Sequence, residues 1–194
     1  MDFGSGSGRK YGDELMNVQG LGNRMLRAAK LDSHLYEELE ADRGALGQAM
    51  LVVVLSSLAA GVGGAARGGI GWLFFGTLAA LGSWFVWAWL VYLIGTKVLP
   101  EPHTRSDIGE LLRVTGFSSA PGVIRVLGVV PGLAALVTLI AAVWMLVAMV
   151  IAVRQALDYS GTGRAVGVCL VGWLVQVAVL FLLLFVFGRT APGV

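Results

Sequence analysis

Residues 118–153 form a run of thirty-six in which Arg125 is the single charge. Such a run is too long for one ordinary crossing of about 30 Å of hydrocarbon. It is also too apolar for the interior of a small soluble domain. Further apolar blocks lie at 46–62, 70–95 and 165–187. They bring the 194 residues to 57% hydrophobic and 13% charged, against roughly a quarter charged in a soluble domain. A water-soluble chain of this length exposes too much surface to hide that excess, so the bilayer must be its solvent. In lipid each backbone donor and acceptor has to be satisfied inside its own segment, which selects helices. The expected fold class is therefore an all-α membrane protein.

The long block is broken at Pro131 and Gly132, because proline lacks a backbone donor and clashes with the preceding turn. The break divides it into a short third span, 118–130, and a full fourth span, 133–153. With 46–62, 70–95 and 165–187, this predicts a bundle of about five transmembrane helices over 45–188, the third one short. A glycine-rich turn containing Arg67 separates the first two spans. The longest polar interruption, 96–115, holds Pro100 and Pro102. Asp107 and Glu110 follow there at the spacing of a capping box, which predicts a short helix with Ile108, Leu111 and Leu112 on its apolar side, lying at the membrane surface. Trp72, Trp84, Trp87 and Trp89 fall near one end of the second span or toward its other half, and some of them are expected at the membrane interface.

Ahead of the spans, residues 1–13 are rich in Gly and Ser and read as a flexible tail, and 189–194 form a short C-terminal tail. Residues 14–44 read as an amphipathic and acidic segment. Leu15, Leu21, Met25, Leu26 and Ala29 share one helix face, with Arg24, Arg27 and Lys30 beside it, an arrangement suited to anionic headgroups. Asp32 or Ser33 then caps a second helix with Leu35, Tyr36 and Leu39 on one side. Glu37, Glu38, Glu40 and Asp42 face water on the other, as a solvated face or as a docking surface for a basic partner.

Loop charges orient the chain. With the N-terminus in the cytosol, five spans leave eleven of the fourteen basic residues inside, whereas four spans leave ten. A net charge of +2 with scattered basic residues excludes a nucleic-acid partner. No cofactor or metal site is expected: His34 and His103 are isolated from other ligand types, and the hydrolase and nucleotide motifs HExxH, GxSxG and GxxxxGK[ST] are missing. Cys169 sits in an apolar run as a small hydrophobe. The polar residues that remain are intramembrane ones. Arg125 is expected to pair with Asp158, to meet carbonyls freed by Pro131, or to snorkel to the interface. Gln176 and Gln48 are candidates for hydrogen bonds between helices, and Gly76–Ala80 and Gly128–Gly132 for close helix packing.

The phrases RMLRAAKLDSHLYEELEAD at 24–42, ELLRVTGFSSAPGVIRVLGVVPGL at 110–133 and VWMLVAMVIAVRQALDYSGTGRAVGVCLVGWLVQ at 143–176 resemble the Yip family, named for interaction with Ypt/Rab GTPases, and its prokaryotic members in particular. The resemblance implies a five-span helical domain with a cytosolic N-terminus, here in a prokaryotic cytoplasmic membrane. Eukaryotic relatives bind prenylated Rab GTPases and one another in vesicle traffic, and often carry an acidic DLYGP-type motif. This chain has His34-Leu35-Tyr36-Glu37 in that place and lacks the long N-terminal domain, so the Rab role does not carry over. The expected function is a non-enzymatic scaffold, adaptor or membrane-organising protein in the lipid bilayer. Its partners would be a second copy or other membrane proteins. The competing expectation is a small transporter or channel subunit with a polar path near Arg125 and Gln176.

Overall fold

A computed structural model describes residues 20–63 and 69–188 of the chain. Leu15, Arg67 and both expected tails fall outside these residues. Every regular element among the described residues is helical. Helix α1 is described over 20–29 and α2 covers Ser33–Ala41. A 3-10 turn, Arg43–Ala45, leads into α3, Leu46–Gly63. Helix α4, Gly69–Leu93, runs on through a π turn, Ile94–Val98. Helix α5 is Ile108–Phe117, followed by a 3-10 segment, Ala120–Val129. Helices α6, Ala134–Ala156, and α7, Thr162–Gly188, complete the bundle.

Among the described residues, four stretches are long and apolar enough to cross a membrane: Arg43–Val62, Leu73–Val98, Ala134–Ala156 and Thr162–Val179. They agree with the first, second, fourth and fifth expected spans. Leu139, Leu146, Leu174 and Phe181 stand well over half exposed on the outside of α6 and α7, where lipid solvates them.

The third expected span takes a different form. Residues 118–130 are not an α-helix. The α-helical turns come earlier, in α5, and tighten into 3-10 geometry after it. Ser118 Oγ donates back to Thr115 O at 2.7 Å, and Ser119-Ala120-Pro121-Gly122 is a poor helix sequence, with Pro121 lacking a donor. The break expected at Pro131 and Gly132 is present: Val130 is extended and Gly132 adopts φ +85°.

Helix α5 also departs from the surface position expected of it. Leu111 through Phe117 are all buried, and α5 packs against α2, α3, α4 and α6. Its start is the predicted capping box, with Asp107 Oδ1 accepting from Glu110 N and Glu110 Oε2 from Asp107 N, both at 2.8 Å. The structure therefore puts α5 into the core and packs the apolar side of α2 against it. Close approach is set by glycines other than those predicted. A Cβ on Gly95 would strike Leu157, and one on Gly122 would strike Ser56, Arg125 and Met145, whereas nothing lies within 4 Å of Gly76 or Gly132.

Helices α1 and α6 both end in a Schellman arrangement with a non-glycine residue in the left-handed region. Asp32 N bonds Arg27 O after Leu31 (φ 62°), and Tyr159 N bonds Arg154 O after Asp158 (φ 51°). Ala28, Leu21 and Met25 of α1 face the core, and Trp144 Nε1 of α6 donates to Ala29 O at 2.8 Å. Leu26, expected on the same face, is exposed.

Candidate functional site

Polar chemistry collects in two places: a charged cap at one end of the bundle, and a cavity between the helices.

Three chain segments build the cap. Helix α2 is held by its apolar side, with Leu35, Tyr36 and Leu39 fully buried as the 3.6-residue period predicts. Asp32 caps its start, accepting from His34 N at 3.1 Å. Its end is held by Arg113 of α5, which is 6% exposed. Arg113 Nε donates to Leu39 O at 2.8 Å, and its Nη2 to Glu40 O. A buried guanidinium thus satisfies carbonyls that the helix end leaves open. The loop after α4 and the loop after α6 join the cap through Glu101. Its carboxylate accepts from Ser160 N at 3.0 Å and lies 3.4 Å from Arg164 Nε; the Ser160 bond, then Arg164, hold it below the usual carboxylate range. The Tyr159 hydroxyl shares its hydrogen between Leu99 O at 2.7 Å and Gly95 O at 3.0 Å.

The acidic residues predicted as a partner surface are largely engaged within this cap. Glu38 takes both Nη groups of Arg27 at 2.8 Å, and Asp42 accepts from Arg24 at 2.7 Å. These Arg partners hold both carboxyls below their ordinary range. Arg24 Nη1 also donates to Gln48 Oε1 at 2.8 Å, so Gln48 ties α3 to α1. Glu37 is exposed, bonded by Gln155 Nε2 at 2.8 Å and facing His34 Nδ1 at 3.3 Å.

Glu40 is different. Burial, with Asp158 and Glu110 nearby, pushes its carboxyl up to about 7 from an ordinary 4.5. A raised carboxyl pKa means that the folded state holds the proton more tightly than the unfolded chain. This group's penalty is therefore absent below about 4.5 and grows as pH rises to about 7. Raising the pH from 6 to 8 should lower the melting temperature of the purified protein, and Glu40→Gln should flatten that response. The gain at pH 8 should be roughly 1 kcal/mol, a figure discounted because the side chain is half-exposed and screened. Parallel pH–melting curves for the two proteins would refute the assignment.

The second feature is a cavity of about 410 Å³ bounded by α3, α4 and the 3-10 segment, with Met145 of α6. Arg125 lines it. Its partners are neither Asp158 nor carbonyls freed by Pro131: Nε donates to Gly122 O at 3.0 Å, and Nη2 to Ser56 Oγ at 2.7 Å and Ser56 O at 3.2 Å. Asp158 lies past the cap end of α6, which is about 17 Å along that helix from Met145, the residue that shares the cavity wall with Arg125, so it is out of reach. Ser57, Ser83, Ser119 and Trp84 complete the polar part of the wall. Gln176 of α7 does not line the cavity; it donates to Ser83 Oγ at 3.0 Å and so reaches the wall only through Ser83.

Of the four tryptophans among which interfacial ones were expected, Trp84 and Trp87 turn inward, bonding Thr115 Oγ1 at 3.1 Å and Met149 Sδ at 3.2 Å. Arg113, Ser56, Ser83 and Tyr159 were not singled out in the sequence. The Ser56-Ser57 pair inside an apolar span was the one visible signal among them. Among the described residues, no group of three or more His, Cys, Asp or Glu side chains is placed to hold a metal.

The family model of the Yip1 domain matches residues 33–185, from the start of α2 almost to the end of α7. No curated protein and no solved structure matches the chain.

Proposed function

This chain belongs to the Yip1 domain family, a multi-pass membrane fold, and from that premise we propose that it acts as a non-enzymatic scaffold or adaptor. In this reading it presents the cap to the cytosol of a prokaryotic cytoplasmic membrane and recruits a second copy or another membrane protein. The observation that carries the reading is the build of the cap. Three segments distant in sequence are locked together by Arg113, Tyr159, Glu101 and Gln155. A rigid, charged surface on a membrane bundle suits docking.

In this reading the chain crosses the membrane five times. Helix α6 ends at the cap, so its start lies about 35 Å away, and α5 starts at the cap. The α5 and 3-10 segments must therefore cover that distance between them. Ten residues at ~1.5 Å and ten at ~2 Å have the length to do so. The basic residues then gather on the cap side, as a cytosolic face requires.

Glu37 is an accessible acidic residue of the cap, with a side chain 57% exposed. Crosslinking in native membranes should give a defined adduct, of two copies or with another protein, and Glu37→Lys combined with Glu38→Lys should abolish it. A chain that stays monomeric and uncrosslinked at native abundance would overturn the reading. The transporter alternative draws support from Arg125 lining a cavity whose wall residue Ser83 accepts from Gln176.

A further inference from the structure

We propose that the cavity beside Arg125 is a binding site for a phosphate-type oxyanion, carried by an anionic lipid headgroup or present as the free ion.

The first argument is charge. The chain has twelve Asp and Glu residues, and none falls between Arg43 and Pro100, between Leu111 and Leu157, or after Asp158. All the described ones belong to the cap end of the molecule. Arg125 lies away from them: its partner Ser56 is seven residues before the end of α3, about 10 Å from that end and about 15 Å from the cap end. Among the described residues no carboxylate comes within ion-pair distance of Arg125. A guanidinium held between apolar helices without a counter-ion is costly, and snorkelling does not relieve it here, because Ser56 and Gly122 pin the group to the bundle.

The second argument is geometry. The described partners of Arg125 occupy Nε and Nη2, which leaves Nη1 with two N–H groups and no acceptor among the described residues. Nη1 is not sealed from contact: the one buried unsatisfied side-chain atom among the described residues is the Tyr36 hydroxyl. The cavity wall adds donors of the same kind. Ser83 accepts from Gln176, so its own hydroxyl hydrogen is free, and Ser119 contributes another hydroxyl. A site of converging donors, one fixed positive charge and no lining carboxylate selects an oxyanion and rejects a cation.

The third argument is access and size. At about 410 Å³ the cavity has room for a headgroup rather than only a bare ion. Gly76 and Ser83 of α4 are exposed at its edge, so it opens sideways toward lipid. No side chain closes that opening at Gly76, where an added Cβ would meet nothing within 4 Å. A phosphate headgroup can enter there while its acyl chains stay on the apolar exterior of α4, beside Phe75 and Leu78.

The test uses the full chain in a neutral detergent, titrated with dioctanoyl phosphatidate, dioctanoyl phosphatidylcholine or inorganic phosphate, and read by native mass spectrometry. Phosphatidate should be retained over phosphatidylcholine. Arg125→Gln should weaken that retention by roughly tenfold or more, the scale of one charge-assisted contact. Gly76→Leu fills the mouth without touching the bonds of Arg125, so it should weaken retention equally and keeps the test valid if Arg125→Gln does not fold. Inorganic phosphate that binds alone with the same Arg125 dependence assigns the free ion; phosphate that neither binds nor competes assigns the lipid. Phosphatidate retention unchanged in both variants overturns the proposal, as does a wild-type chain that binds neither phosphatidate above phosphatidylcholine nor inorganic phosphate.

Discussion

Gly116→Val should prevent assembly of the bundle. A Cβ placed on Gly116 would lie 2.7 Å from the Ala49 Cβ, 3.1 Å from the Ala49 carbonyl oxygen and 3.2 Å from its carbonyl carbon. Two of those atoms are backbone of α3, so no rotamer change can clear them. Ala49 is itself fully buried. The crossing of α5 over α3 is therefore as close as two helices can come, and small residues on both sides make it so. In lipid the hydrophobic effect adds nothing between helices, and such contacts carry the association. Alanine at this position should cost about 1–3 kcal/mol as an overpacked core residue. The branched valine should cost more and leave little folded protein. Size-exclusion profiles and melting temperatures in detergent read the effect, with Gly76→Val as a control expected to behave as wild type. A Gly116→Val protein with normal yield and melting temperature would mean that α5 and α3 are not in contact.

That seam shows what the sequence could and could not reveal. The long spans were legible because length and apolar content alone specify a helix in lipid, and helices α3, α4, α6 and α7 agree with the predicted spans within a few residues. The Asp107–Glu110 box was legible for a similar reason: capping chemistry is local and has a fixed spacing. Burial of α5 was not legible. Its ten residues carry Glu110 and Arg113, which look like a surface helix when hydropathy is the guide. In a membrane protein a core element is recognised by small and hydrogen-bonding residues instead, here Thr115, Gly116 and Ser118. The same reversal moved Trp84 and Trp87 inward, since indole N–H groups serve buried partners as well as interfacial ones. The acidic surface was half legible. The positions of Glu37 and Glu38 on the outer side of α2 followed from periodicity, but the capture of Glu38 and Asp42 by Arg27 and Arg24 depended on where α1 packs. Arg125 was legible as an anomaly, and its partners were not, because Ser56 and Gly122 are brought to it only by packing, while Asp158 lies at the wrong end of α6.

Arg113→Met should release α2 from the bundle while leaving the spans in place. Methionine keeps most of the apolar stem that packs in the core, so the change removes mainly the donors. Leu39 O and Glu40 O then lose a charged partner in a site too buried for water to replace it fully. A hydrogen bond from a charged donor contributes about 1.5–3 kcal/mol, and an abandoned buried acceptor adds its own desolvation cost. The expected loss is about 3 kcal/mol, concentrated at the cap because the lipid-facing helices do not depend on Arg113. Trypsin should therefore cut faster at Lys30 and Arg43 than in the wild type, ahead of any cleavage at Arg154 or Arg164. Glu40 supplies an independent readout. Arg113 lowers the Glu40 carboxyl pKa, opposing the burial that raises it. Release of α2 takes that burial away together with Arg113, so the pKa falls back toward the ordinary carboxylate range and the fall in melting temperature with pH should flatten, as in Glu40→Gln. Slow trypsin cleavage together with an unchanged pH profile would show that Arg113 does not hold the cap. Faster cleavage with an unchanged profile would mean that the ends of α2 open while Glu40 keeps its burial without Arg113.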